Sequence, residues 1–172
     1  MTIRTMALCA LLACGAMSLG SGPVQAESQA ERAVPATGPV TGLPLPRFVS
    51  LKAAEARARR GPSTTHRIDW VYQRRGLPLM VTAEHGHWRR VEDVEGQGGW
   101  VHYALLTGTR RALVLDDLTT VRARPGYGAR ERAHLEAGVI ATLGECETGW
   151  CRVAVGDVKG WVPAGALWGA GG

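Results

Sequence analysis

The residues best suited to chemistry in this 172-residue chain are five histidines and four cysteines. A cysteine peptidase needs a reactive thiol with a histidine partner, and a zinc site needs several ligands at regular spacing. The cysteines instead fall into a leading pair, Cys9 and Cys14, and a late pair, Cys146 and Cys151. The segment His85-Gly86-His87 falls on a predicted tight turn with no carboxylate–histidine frame around it. The sequence therefore predicts no enzyme, no metal site and no cofactor.

The late cysteine pair has the spacing of a disulfide that crosses a β-hairpin. A two-residue turn at Thr148-Gly149 makes Glu147 and Trp150 the first, hydrogen-bonded pair. Cys146 and Cys151 then form the next, non-hydrogen-bonded pair, in which the Cα atoms lie within the range that a disulfide tolerates. The pattern predicts a disulfide between Cys146 and Cys151 in an oxidising compartment.

An earlier segment has the same hairpin frame without cysteines. Gly86-His87 forms the turn, His85 faces Trp88, and Glu84 faces Arg89. A cross-strand ion pair is therefore expected where the later hairpin has its disulfide. Treated as exposed, such a pair contributes roughly 0.2–1 kcal/mol.

These two hairpins belong to an internal repeat. The segment WRRVEDVEGQGGWVHYALL, Trp88–Leu106, recurs as WCRVAVGDVKGWVPAGAL, Trp150–Leu167, at an offset of 62 that falls to 61 at the second tryptophan. Upstream, Arg-Ala-Arg at 57–59 recurs at 122–124, an offset of 65, which predicts a loop before Gly76 that is three residues longer in the first copy. A repeat of this length is a small domain. We expect two modules, at residues 47–107 and 112–168.

The modules read as all-β. Short alternating segments separated by Gly and Pro turns predict small β-barrels, with strands at Phe48–Leu51, Ile68–Tyr72, Leu79–Ala83, Trp88–Val94 and Gly99–His102. The predicted cores are Val49, Leu79, Val81, Val91, Val101 and Leu105 in the first module, and Val139, Val153, Val155, Val162 and Leu167 in the second.

The N-terminal segment predicts export. Residues 1–26 have one cation, an apolar run and a Val-Gln-Ala site, as in a signal peptide. The run is too short to span a bilayer, so no transmembrane span is expected in the mature chain. Periplasmic or secreted release is favoured; the alternative is a lipoprotein anchored at Cys14, since Leu11–Gly15 resembles a lipobox. Residues 27–46, rich in Ala, Pro and Gly, predict a flexible linker.

Charge is uneven between the modules. The chain has a formal net charge of +5. Residues 45–106 contain ten Lys and Arg against six Asp and Glu, whereas residues 112–168 contain six against seven. A basic exported module could meet anionic glycan, teichoic acid or lipid headgroups, or the arginines could simply solvate the surface. Nucleic acid is not an expected partner outside the cytoplasm.

Alternation places two tryptophans away from the core faces. Trp88 shares its strand face with Arg90, and Trp150 shares its face with Arg152. An aromatic side chain beside an arginine on a non-core face is typical of a binding surface. The alternative is that each tryptophan covers a barrel end or packs on the other module, and the sequence leaves both open.

The motifs together resemble those of bacterial SH3-like domains. Arg59-Arg60-Gly61-Pro62, Trp88-x-x-Val91 and Gly99-Trp100-Val101 are similar to the family signature, and the second copy keeps Trp150, Val153 and Gly160-Trp161-Val162. His102 stands where the second copy has Pro163, so the two grooves need not share a ligand. The resemblance implies two tandem five-stranded barrels that bind without catalysis. The expected ligand-binding residues are Arg59, Arg60, Trp88, Arg90, Trp100, His102, Trp150, Arg152 and Pro163.

Two functions follow from the resemblance. One is an envelope module that binds peptidoglycan or a wall peptide, and the other is an adaptor that docks on an envelope protein. The chain is expected to act as a monomer, with its main site on the basic first module.

Overall fold

The computed structural model describes residues 36–171, so the predicted signal peptide, Cys9 and Cys14 lie outside the described residues. A short hairpin comes first, followed by the strands of module one (residues 47–107). The elements are β1 Ala36–Thr37, β2 Pro44–Leu45, β3 Arg47–Leu51, β4 Ala56–Arg59, β5 Ile68–Tyr72, β6 Pro78–His85, β7 Trp88–Glu92, β8 Gly98–His102, a 3₁₀ turn η1 Tyr103–Leu105, and β9 Leu106–Thr107.

Module two (residues 111–168) repeats the series. Its elements are β10 Arg111–Val114, β11 Thr119–Arg122, β12 Glu131–Leu135, β13 Ile140–Glu147, β14 Trp150–Val155, β15 Val158–Pro163, η2 Ala164–Ala166, and β16 Leu167–Trp168. The two seven-stranded antiparallel sheets have the same order, β5-β4-β8-β7-β6-β3-β9 and β12-β11-β15-β14-β13-β10-β16. The protein is therefore all-β with two separate sheets, which confirms the predicted tandem pair of SH3-like modules.

The pairing registers correct the predicted alignment of the two copies upstream. Arg59 pairs with Trp100, and Arg122 pairs with Trp161, so Arg122 is the counterpart of Arg59 at an offset of 63. Both arginines also donate to a carbonyl seven residues later. The predicted offset of 65 is wrong, and the loop before Gly76 differs by one residue, not three.

Each sheet encloses one core. Predicted residues Leu79, Val81, Val91 and Val101 are fully buried in module one, with Val49 and Leu105 packed at the margin. In module two, Val153, Val162 and Leu167 are buried, with Val139 and Val155 at the margin. Both cores also contain residues that the sequence analysis did not select: Leu45, Leu51, Ala56, Ala58 and Tyr72 in the first, and Ala112, Val114, Val121, Leu135, Ala141, Leu143 and Cys151 in the second.

The hairpin between β13 and β14 has the predicted register. Cys146 pairs with Cys151 and Glu147 with Trp150. The cysteines form a disulfide with a Cα–Cα distance of 4.0 Å. The turn places Thr148 and Gly149 at φ values of 46° and 81°, a left-handed region that glycine adopts readily.

The hairpin between β6 and β7 pairs Glu84 with Arg89, as predicted, but the pair is not exposed. Glu84 and Arg89 are 6% and 7% exposed, and Arg89 Nε lies 3.4 Å from the Glu84 carboxylate. A second cation, Arg47, lies 2.6 Å from the same carboxylate. The ion pair is thus part of a buried cluster. Its energetics differ from those of the expected surface pair, because burial removes the charges from water.

The buried cluster holds the segment before module one. Oε2 of Glu84 accepts the backbone N–H groups of Val40 and Thr41, and Oε1 accepts the Thr41 hydroxyl at 2.7 Å. Burial alone would raise the pKa of Glu84, but these hydrogen bonds and that from Arg47 outweigh it and lower the pKa to about 2. The prediction of a flexible linker is therefore wrong for residues 36–46, which form the β1–β2 hairpin and dock on module one.

The two modules are in contact. The rings of Phe48 and Trp168 meet edge to face with centroids 4.9 Å apart. The buried Ser50 donates its hydroxyl to the Thr109 carbonyl at 2.8 Å. Across residues 36–171, no helix is long and apolar enough to cross a membrane.

Candidate functional site

Six of the predicted site residues meet on one side of module one, around two adjoining concavities. The first, the Trp88 groove, has a volume of about 230 Å³ and is lined by Trp88, His102, Leu105, Arg59 and neighbouring residues. The second, the Trp100 pocket, has a volume of about 340 Å³ and is lined by Trp100, Arg59, Arg60, Arg90 and neighbouring residues. Arg59 lines both, so the two concavities form one surface.

Strand pairing fixes the walls of the Trp88 groove. Trp88 begins β7 and faces His102 at the end of β8, with ring centroids 5.6 Å apart and the planes nearly perpendicular. Nδ1 of His102 accepts the N–H of Ala104 at 3.3 Å, which holds the imidazole at the start of the 3₁₀ turn η1. Trp88 is half-buried, so part of its indole remains open to a ligand.

The Trp100 pocket has an aromatic side chain between two cations. Trp100 of β8 pairs with Arg59 of β4 on one side and with Arg90 of β7 on the other. Gly99 allows this close approach, because a Cβ atom there would lie 2.6 Å from the Arg59 carbonyl oxygen. The rings and guanidinium groups are thus placed by the sheet, not by a mobile loop.

The Trp100 pocket presents both signs of charge. Asp69 accepts hydrogen bonds from Arg60 at 3.1 Å and from Arg67 at 2.8 Å, and these two donors lower the pKa of Asp69. Arg90 lies 4.0 Å from Glu92. The lining therefore contains three arginines and two carboxylates, an arrangement that suits a ligand carrying both carboxylate and amine groups.

The acidic half of this surface is not predicted from the sequence. Asp69 and Glu92 line the Trp100 pocket and Glu55 lines the Trp88 groove, but none of the three is among the expected ligand-binding residues. A signal existed only for Asp69, which interrupts an otherwise apolar strand, IDWVY. The pairing of β4 with β5 brings it beside Arg60.

Module two reproduces this surface only in part: it has a cavity at the position of the Trp88 groove, but Trp150 does not line it. Trp150 is only 8% exposed, and the ring of Tyr127 covers it edge to face at 5.1 Å. At the offset of 63, the counterpart of Tyr127 in module one is Thr64, a side chain too small to cover Trp88. Trp150 is therefore largely covered, whereas Trp88 is half-buried.

The other two predicted residues of module two lie apart. Pro163 lines a cavity of about 210 Å³ together with Arg122, Tyr127 and Ala166, which are the counterparts of Arg59, Thr64 and Leu105 in the Trp88 groove. Arg152 lines a different one and lies 3.5 Å from Glu145. Module two therefore presents separate small concavities.

The histidines near the groove form an aromatic cluster. His87 and His102 have centroids 5.9 Å apart, and Tyr103 lies 5.0 Å from His102. Within residues 36–171, no group of three or more His, Cys, Asp or Glu side chains has the proximity of a metal site. The cluster extends the aromatic surface beyond Trp88.

No curated protein matches the chain. Among solved structures, NlpC2 from Trichomonas vaginalis is 12% identical with a TM-score of 0.34, over 72% of this chain and 48% of that one. NlpC1 from the same organism is 12% identical with a TM-score of 0.34, over 71% and 45%. The chain spans about half the length of these two proteins.

The family comparison matches both modules separately. The family model described as "Bacterial SH3 domain" matches residues 52–108 and again residues 116–169. These two matches cover more than half of the chain and coincide with the two sheets. The chain belongs to the bacterial SH3 domain family, of which it contains two tandem copies.

Proposed function

We propose that the protein is a non-catalytic binding protein of the cell envelope, and that module one recognises a peptidoglycan stem peptide or a similar wall peptide. The observation that carries the proposal is the open Trp88 beside a pocket of mixed charge, both joined at Arg59. A stem peptide combines small apolar side chains with free carboxylates and amines. Indole and imidazole surfaces suit the former, and paired arginines and carboxylates suit the latter.

Module two would then act as a support or as a weaker second site. Its tryptophan is covered, and its residues 112–168 have a slight negative balance, with six cations against seven anions. Its contact with module one through Phe48 and Trp168 would hold the binding module in a fixed setting.

The perturbed titratable groups favour binding over catalysis. Asp69 and Glu84 have lowered pKa values because cations and N–H groups hold them, which suits structural anions more than general bases. Burial, followed by the charges of Asp93 and Glu92, raises the pKa of Tyr72, whose hydroxyl donates to the Gln97 carbonyl. Incubation with soluble muropeptides should leave their chromatographic profile unchanged; new cleavage products would contradict this part of the proposal.

The expected export of the chain supports the proposed location in the cell envelope. The disulfide Cys146–Cys151 suits an oxidising compartment, and the leader predicted from residues 1–26 provides the route. Whether the mature chain begins after Ala26 or at a lipidated Cys14 is decided by the mass of the mature N-terminal peptide.

A second candidate, an adaptor for an envelope protein, is favoured by the edge strand β5. Ile68, Trp70 and Val71 are 38–41% exposed on the outermost strand of the module-one sheet. The equivalent strand of module two, ERAHL, is polar. An apolar sheet edge can pair with a strand of another protein.

Sedimentation with purified sacculi, with an envelope lysate in parallel, separates the two candidates. Trp88→Ala should weaken retention on sacculi by roughly thirtyfold, because a binding anchor commonly contributes 2 kcal/mol or more. Trp70→Ala is the matched control, since Trp70 is exposed but lines neither concavity. Thr64→Tyr is a second variant, which gives module one the ring that covers the tryptophan of module two.

Wall binding predicts that Trp88→Ala and Thr64→Tyr lose retention and that Trp70→Ala keeps it. Specific capture of one envelope protein that depends on Trp70, with no retention on sacculi, would favour the adaptor. Normal retention by a folded Trp88→Ala protein would show that the binding surface lies elsewhere.

A further inference from the structure

A third cavity of module one lies beside the β1–β2 hairpin and borders the aromatic cluster at Tyr103. Its volume is about 290 Å³. Leu43, Phe48, Leu106 and Tyr103 contribute to its walls, and Arg47 and Arg89 also line it. It shares no lining residue with the Trp88 groove or the Trp100 pocket.

The cavity combines apolar walls with an open side. Leu43 is 49% exposed and Tyr103 is 50% exposed, whereas Phe48 is half-buried against Trp168. Strand β9 pairs with β3 only at Ser50 and Leu51, which leaves the Arg47–Val49 part of β3 without a strand neighbour on the cavity side. An apolar ligand could therefore reach the walls without displacing a strand.

The charges beside the cavity do not balance. Arg47 and Arg89 share one anion, Glu84. Glu84 also accepts the N–H groups of Val40 and Thr41 and the Thr41 hydroxyl, so both of its oxygens are occupied. Nη1 of Arg47 is buried and has no hydrogen-bond partner among residues 36–171. A buried donor without an acceptor is costly, and here it belongs to a cluster with one surplus positive charge.

Module two has no equivalent of this arrangement. The counterpart of Arg89 is Cys151, which forms the disulfide, and the counterpart of Tyr103 is Ala164. The cavity therefore arises where the leading hairpin docks on module one, and the shared bacterial SH3 fold alone does not create it.

We propose that this cavity binds a small amphipathic carboxylate, with the carboxylate at Arg47 and the apolar part against Phe48, Leu43 and Leu106. A water molecule occupies about 30 Å³ in the liquid, so the cavity accommodates about ten atoms of that size. A straight eight-carbon fatty acid anion has this size, and octanoate is therefore the probe. The proposal goes beyond wall binding and does not depend on it.

The test is an NMR titration of the full mature protein with octanoate, with octan-1-ol and octylammonium as neutral and cationic analogues. Octanoate should bind saturably, at least about tenfold more tightly than either analogue. The chain has a single phenylalanine, so intermolecular NOEs from octanoate methylenes to Phe48 locate the ligand without any substitution. Lack of binding at millimolar octanoate, equal binding of octanol, or bound octanoate without NOEs to Phe48 would each overturn the proposal.

A pair of variants on the same hairpin provides a second test. Leu43→Glu places an anion at the cavity wall and should weaken octanoate binding by about tenfold or more. Ala36→Glu is the matched control, because Ala36 is exposed on the same hairpin, does not line the cavity and does not bind Glu84. Unchanged binding by a folded Leu43→Glu protein would contradict the site. If Leu43→Glu does not fold, the NOEs to Phe48 in the unsubstituted protein decide the question.

Discussion

Modules one and two share a strand order but stabilise the same hairpin in different ways. In module two, a disulfide joins Cys146 to Cys151 across a single hairpin turn. At the equivalent pair, module one places Glu84 and Arg89, and the carboxylate also binds Arg47 and Thr41 from the leading hairpin. The disulfide fixes only its own hairpin, whereas the ion cluster connects the β6–β7 hairpin to residues 40–47, with a separation of 37 residues between Arg47 and Glu84.

A second difference concerns the tryptophan at the start of the next strand. Tyr127 covers Trp150, but Thr64 leaves part of Trp88 open. The same fold position is therefore covered in one copy and partly open in the other. The residue in the preceding turn, Tyr127 or Thr64, distinguishes the two copies here.

The largest expected difference between the modules is in the stability cost of removing these tryptophans. Trp150→Ala should lower the free energy of unfolding by about 3–5 kcal/mol, because a buried indole is replaced by a cavity. Trp88→Ala should cost only about 1 kcal/mol, as is typical away from the core. Chemical denaturation measures both values, and equal costs would remove the distinction between a structural and a binding tryptophan.

The next effect is on the buried cluster. Glu84→Gln should destabilise the protein by about 3 kcal/mol, since Arg47 and Arg89 lose their shared anion. Glu55→Gln is the control, because Glu55 pairs with Arg57 at 3.2 Å on the surface and should contribute less than about 1 kcal/mol. If the two variants denature alike, the cluster does not anchor the leading hairpin.

The same carboxylate predicts an acid dependence. The pKa of Glu84 falls from 4.5 to about 2 on folding, so the unfolded chain binds more protons between these values. The contribution of Glu84 is fully present above about pH 5 and is lost as the pH falls towards 2. Denaturation midpoints should decline through this window in the unsubstituted protein and decline less in Glu84→Gln. Parallel curves for the two proteins would contradict the lowered pKa.

A smaller effect than those of Trp150→Ala and Glu84→Gln is expected from the disulfide. Replacing Cys146 and Cys151 with serine should cost about 2 kcal/mol or less, because a bond that closes a loop of about six residues constrains the unfolded chain only slightly. Circular dichroism should show that the β-structure is retained, and chemical denaturation should show this modest loss in the free energy of unfolding. Complete unfolding of the double variant would show that module two depends on its disulfide far more than module one depends on an ion pair.

Local geometry explains why the sequence predicted the hairpins so well. A two-residue turn sets the register of both flanking strands, so Cys146–Cys151 and Glu84–Arg89 follow from the turn alone. The upstream register could not be obtained in this way. A slip of two residues keeps every side chain on the same sheet face, and therefore alternation could not distinguish an offset of 63 from one of 65.

Long-range contacts explain what the sequence missed at the site. Glu84 looked exposed because its partners, Val40 and Thr41, lie more than 40 residues earlier. Trp150 looked available because Tyr127, which covers it, comes from a turn on another strand pair. The six predicted site residues of module one do meet, since β4, β7 and β8 are neighbours in the sheet.

The central claim is that ligand recognition belongs to module one, and tryptophan indole resonances test it directly. The chain has six tryptophans, each with one indole N–H signal in a ¹⁵N-labelled sample. On titration with soluble muropeptides, the signals of Trp88 and Trp100 should shift saturably, while those of Trp150 and Trp161 remain in place. Saturable shifts of Trp150 and Trp161 without those of Trp88 and Trp100 would contradict the account.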